Sequence, residues 1–206
     1  MTRGAAALVT DSPFEAFLSA APLIEVDAPE IGAFVDERLR GLYEADAARA
    51  VFHFVRDEVS HSWDVQGRRV TRSALDVLAH REGICYAKSH LAAALLRRAG
   101  LPAGICYQRL TLFDDASGGY AVHALNTVYL GSLQRWIRFD ARGNKPGVDA
   151  QFSADEERLA FKVRPEYDEV DYLRNHPKPH PRIARTLLEN DDALDMYRKG
   201  LPPGLD

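Results

Sequence analysis

The chain is poor in cysteine, has no long apolar run and carries no excess of positive charge, and each absence removes a class of protein. Two cysteines cannot build the disulfide framework of a secreted domain, and a Cys85 to Cys106 bridge is not expected. No stretch is long and apolar enough to cross a bilayer. Ala5-Ala6-Ala7-Leu8-Val9 is too short, and too soon broken by Asp11, for a secretory signal, so a cytoplasmic protein is expected. A net charge of −4 offers no basic stripe, which argues against nucleic acid as a partner. Arg97-Arg98 reads as a solvated helix end favoured by the helix dipole. There is no His-Glu-x-x-His run and no acidic calcium loop. His53 and His61 lack further ligands at metal spacing and read as surface or capping histidines, so neither metal nor cofactor is expected. Internal repeats and low-complexity tracts are also missing.

What is present suits one folded domain over residues 1–206: 46% hydrophobic residues, enough for a sizeable core. Cys85 is its most informative residue. Ser73-Ala74-Leu75-Asp76 has the form of a capping box, which predicts a short helix from Ala74 to about Arg81, with Gly83 suited to end it. A second helix is predicted to start near Ile84 or Cys85 and to stop at Gly100. Ala87, Leu91, Ala94, Leu95 and Ala99 form its narrow stripe of small apolar residues. The first amides of a helix lack intrahelical partners and carry partial positive charge, so sulfur placed there is favoured as thiolate. Cys106, inside the predicted strand Ala103-Gly104-Ile105-Cys106-Tyr107, reads instead as core packing.

Two partners come from a predicted hairpin, Tyr120 to Leu130 and Leu133 to Asp140. Gly131-Ser132 suits a two-residue turn with glycine first. Such a turn pairs Leu130 with Leu133, and counting outward sets His123 opposite Asp140, within reach of a carboxylate–imidazole hydrogen bond. A buried His–Asp pair alone is compatible with a structural role. Added to Cys85 it completes the set that acyl transfer by sulfur needs: a nucleophile, an imidazole acid/base and a group that fixes its tautomer.

These residues resemble the transglutaminase-like superfamily, a branch of the papain-like cysteine peptidase fold, and a bacterial type within it. The resemblance rests on Arg81-Glu82-Gly83-Ile84-Cys85-Tyr86-Ala87, on Leu95 through Ala103, on His123-Ala124, on Trp136-Ile137-Arg138-Phe139-Asp140 and on Ala141 through Lys145 that follows. It implies an α+β fold with the nucleophile at the start of a central helix packed on an antiparallel sheet, and it implies Cys85 as nucleophile, His123 as acid/base and Asp140 as orienter. The core spans about residues 45–152. It is preceded by a helical or extended segment, 1–44, and followed by a proline-rich connector and final helix, 164–206.

The second oxyanion donor and the cleft walls have several candidates. His61 through Gln66 can supply a side chain, with Trp63 as a wall and Gln66 as a donor. Asn126 suits either the cleft or the outer face of its strand. Arg142 and Asn144 leave directly from Asp140 and can read a substrate carboxylate or carbonyl, or simply anchor their own loop. Ala48, Val51, Phe52, Val55 and Val59 mark an amphipathic helix, and Ile183, Leu187, Leu188, Leu194 and Tyr197 mark a last one. The expected substrate is a peptide, amide or ester, with water or an amine as acceptor. A noncatalytic interaction domain and an acyltransferase using a carrier thioester, as in arylamine acetyltransferase-like members, are the alternatives.

Overall fold

The computed structural model describes residues 8–112 and 116–206. Ala5, Ala6 and Ala7 of the short apolar stretch lie outside the described residues. Three helices, α1 (Pro29–Arg38), α2 (Glu44–Asp57) and α3 (Ala74–His80), precede the central helix α4 (Cys85–Arg98). The apolar positions expected on α2 are buried, and Val59, just beyond its end, is buried with them. None of the described helices is long and apolar enough to cross a membrane.

Helix α3 begins with the expected capping box: Ser73 Oγ accepts from Asp76 N (3.3 Å) and Asp76 Oδ2 accepts from Ser73 N (3.2 Å). Its end differs from expectation, because Arg81, not Gly83, takes the left-handed position at φ 52°. Gly83 instead sits in β2 (Glu82–Gly83), paired in parallel with β1 (Ser60–His61). A Cβ there would lie 2.8 Å from Thr71 Oγ1 and 3.2 Å from Val77 Cγ2, so close approach of neighbouring segments requires the glycine.

The narrow apolar stripe expected on α4 is an underestimate. Helices α1, α2 and α3 cover one side and the sheet covers the other, so the helix is buried from Tyr86 to Arg97. Of the polar side chains buried with it, Lys88, His90 and Arg97 are hydrogen-bonded, as the cost of desolvation requires. Lys88 Nζ donates to Val59 O (2.6 Å) and Arg142 O (2.7 Å), and His90 Nδ1 lies 2.8 Å from Arg72 O. Arg97 is likewise not solvated: it is 3% exposed and donates to the carbonyls of Ser19, Ala103 and Pro177, while Arg98 alone stays exposed.

Strands β3 (Ala103–Thr111), β4 (Tyr120–Leu130), β5 (Arg135–Phe139) and β6 (Val170–His176) form an antiparallel sheet in the order β5-β4-β3-β6. The α+β arrangement, a cysteine-led helix on an antiparallel sheet, is the one expected. The β4–β5 register differs: Leu130 pairs with Arg135 across a four-residue turn, and Gln134 takes the left-handed position. Glu44 lies over this turn: its Oε1 is 2.9 Å from where a Cβ on Gly131 would stand, and its Oε2 accepts from Ser132 N (3.0 Å).

The last part of the polypeptide is less continuous than expected. The run before Pro177 is strand β6, and only the short stretch after it is a connector. His180 then caps α5 (Pro181–Leu188). The single final helix is broken after Leu188. Asp192 caps a new short helix, α6 (Ala193–Asp195), which continues as a π turn, Met196–Gly200.

Candidate active site

Cys85 is the first residue of α4, with extended Ile84 as its cap. It is half-buried in a cleft of about 870 Å³. His123 lines the same cleft from β4, and Asp140, fully buried, stands behind it just beyond the end of β5. The register differs from the expected one by two residues, so His123 and Asp140 are diagonal neighbours instead of directly opposed. An even shift keeps both on one face of the sheet, whereas a slip of one residue would have separated them. His123 Nε2 meets Asp140 Oδ2 at 2.7 Å. A carboxylate can only accept, so Nε2 carries the proton and Nδ1 is left for the sulfur.

Burial opposes charge on His123, but the Asp140 carboxylate, the Cys85 sulfur and hydrogen bonds to both outweigh it and push the imidazole up to about 10. Burial likewise disfavours ionised Asp140. The His123 charge and hydrogen bonds from His123, Arg142 N (3.1 Å) and Ala160 N (3.2 Å) overcome it and hold the carboxyl below the usual range. Phe161 packs edge-on against the His123 ring at 5.1 Å. Cys106 is enclosed in β3, and burial pushes its thiol up to about 12. Both cysteines are free.

The remaining candidates separate cleanly. Trp63 is a wall of the cleft, stacked on Tyr197 at 4.4 Å. Gln66 is exposed and outside it: the backbone turns left-handed there, and Nε2 folds back onto Trp63 O. Asn126 is buried away from the cleft, where its amide donates to Ser89 O (3.0 Å) and Gly104 O (3.1 Å) and ties β4 to α4 and β3. Arg142 lines the cleft, but its guanidinium is held by both oxygens of Asp64 at 2.6 and 2.9 Å. Burial works against ionised Asp64, and the Arg142 and Lys145 bonds nonetheless hold it at about 2. Asn144 is exposed and closes its own loop, accepting from Ala150 N at 2.8 Å.

Two cleft residues, His61 and Tyr197, and one support behind the cleft, Lys88, were not legible as such. His61 is 4% exposed, not on the surface. Its pairing beside Gly83 carries it to the cleft, and burial with the nearby Arg142 and Lys88 charges keeps the ring neutral. Tyr197 arrives from the C-terminal π turn. Lys88, one turn after Cys85, fastens the loop after Asp140 to the end of α2. Burial and Arg142 bring its ammonium down to about 7. Three-residue helical spacing from Cys85 was the available signal for Lys88. Among the described residues no group of three or more His, Cys, Asp or Glu side chains is arranged to hold a metal.

No curated protein matches the chain. Solved structures similar to it include these two. One is a candidate cysteine protease from Cytophaga hutchinsonii, 22% identical with a TM-score of 0.49, matched over 64% of this chain and 43% of that one. The other is a TGase, 19% identical with a TM-score of 0.44, matched over 96% of this chain and 53% of that one. The chain thus spans about half the length of each. A family model, the transglutaminase-like superfamily, matches residues 35–141, from α1 through the residue after Asp140, and to that superfamily the chain belongs.

Proposed function

We propose that the protein catalyses cysteine-dependent acyl transfer on an amide or ester, with Cys85 as nucleophile, His123 as acid/base and Asp140 as orienter. The observation that carries this reading is a helix-start cysteine sharing a cleft with an imidazole whose far nitrogen is held by a fully buried carboxylate. The Cys85 sulfur attacks the carbonyl carbon and a C–S bond forms. His123 gives its proton to the leaving amine or alcohol, the C–N or C–O bond breaks, and a thioester remains. Neutral His123 then takes a proton from water or an amine as that acceptor attacks, and the C–S bond breaks to return the sulfur and the imidazolium. The Cys85 backbone N–H, which has no intrahelical acceptor at the helix start, is the natural donor to the oxyanion. Trp63 and Tyr197 form the wall against which the acyl donor lies.

The test is the rate of Cys85 alkylation by iodoacetamide against pH, read by peptide mass spectrometry, with enclosed Cys106 as the internal control. Rapid labelling at about pH 6 to 7, falling about a hundredfold or more in His123→Ala, is expected of an activated pair. Slow labelling, alike in both proteins, would sink the reading and leave a noncatalytic domain.

A further inference from the structure

The charge of the cleft opposes that of the whole protein. The sequence carries a net −4, yet Arg142, Lys145, Lys162, Arg164 and Arg198 all line the cleft, with Glu169 their only acidic counterpart in its lining among the described residues. Some of this positive charge is neutralised locally. Asp64 holds both Arg142 and Lys145, and Glu169 holds Arg164. Lys162 and Arg198 are different: both are exposed, and neither has an ion-pair partner among the described residues. They come from separate segments, the loop after Phe161 and the π turn that carries Tyr197, so their convergence on the opening is a tertiary feature. Like charges gathered at one opening cost self-repulsion, which an anionic occupant relieves. Field focusing in a concave site strengthens the attraction, and the apolar walls contributed by Leu110, Val122 and Phe161 keep the local dielectric low.

We infer that the acyl donor bears a carboxylate close to the reacting carbonyl, and that Lys162 and Arg198 at the cleft opening select it. This rests on the acyl-transfer reading and adds the substrate class. It also assigns recognition to two exposed cations, leaving Arg142 and Lys145 to Asp64.

A matched pair of activated esters tests it: p-nitrophenyl butyrate and mono-p-nitrophenyl glutarate, which differ in the terminal carboxylate. Acylated Cys85 peptide is followed by mass spectrometry in the wild type and in Lys162→Glu/Arg198→Glu. A preference for the glutarate ester of about tenfold is expected at about 10 mM salt. It should shrink at about 0.5 M salt, where screening is short-ranged, and disappear in the double variant. Equal acylation of wild type by the two esters, or a preference that survives the double reversal, overturns the inference. Iodoacetate against iodoacetamide at Cys85 supplies the same anionic-to-neutral ratio without requiring acyl transfer. If neither ester acylates Cys85, the acyl-transfer reading fails, and the alkylation ratio in the two proteins still decides the charge selection.

Discussion

At His123 two opposed effects meet: burial resists the charge, and Asp140 with the Cys85 sulfur favours it strongly enough to hold the imidazolium up to about 10. The sign of the resulting pH dependence follows. The folded value lies above the ordinary 6.5, so this coupling stabilises the fold fully below about 6.5 and is lost as pH rises through about 10. The stability difference between wild type and His123→Ala is therefore expected to be largest below about 6.5 while Asp140 stays ionised, to narrow above about 10, and to narrow again where acid protonates Asp140, as measured by urea midpoints across that range. Asp140→Asn keeps the shape but removes the acceptor charge. It is expected to lower acyl transfer by about 10² to 10⁴, as misorienting an imidazole does, and to cost stability as well, because Asp140 also accepts from Arg142 N and Ala160 N; steady-state kinetics and circular dichroism would separate the two effects.

The elements that carry the proposed triad are held in place by polar ties as well as by packing. Helix α4 supplies Cys85, the proposed nucleophile, and, one turn later, Lys88, whose two carbonyl bonds fix the loop leaving Asp140. Lys88→Met fills the space but strands both carbonyls. The expected cost is about 2 to 4 kcal/mol together with slower Cys85 alkylation. Thermal denaturation beside the labelling rate checks this, and a stable variant with unchanged labelling would contradict it. Ahead of the helix, β1 and β2 bring His61 beside Gly83 at van der Waals range of Thr71 and Val77. Gly83→Ala is expected to destabilise by about 1 to 3 kcal/mol, because overpacking must displace Thr71 or the strand.

For the whole molecule, the C-terminal segment is part of the cleft. Pro202 O accepts from Val122 N (2.9 Å), Arg68 O accepts from Ala193 N (2.8 Å), and Tyr197 stacks on Trp63. Removing everything after Glu189 is expected to red-shift Trp63 fluorescence and lower the thermal midpoint. Tyr197→Ala should produce the fluorescence change alone. Unaltered emission in both would mean that the stack does not persist in solution.

Local chemistry carried the sequence reading where the interaction spans a few residues. The Ser73 capping box, the helix start at Cys85, the stripe of α2 and the two hairpin strands each depend on near neighbours, so their residue types suffice. The same holds for the face shared by His123 and Asp140, because strand alternation survives an even change of register. Tertiary structure decided what depends on distant neighbours. Glu44 on α2 accompanies the turn at Gly131 that shifts the register, and enclosure from both sides buries Arg97, although a helix-end arginine is by its local chemistry a solvated one. The pairing of β1 with β2 carries His61 inward, and the final π turn brings Tyr197 and Arg198 to the cleft. A residue's own chemistry and local spacing specify what it can do, whereas burial and long-range partners specify which of those things it does.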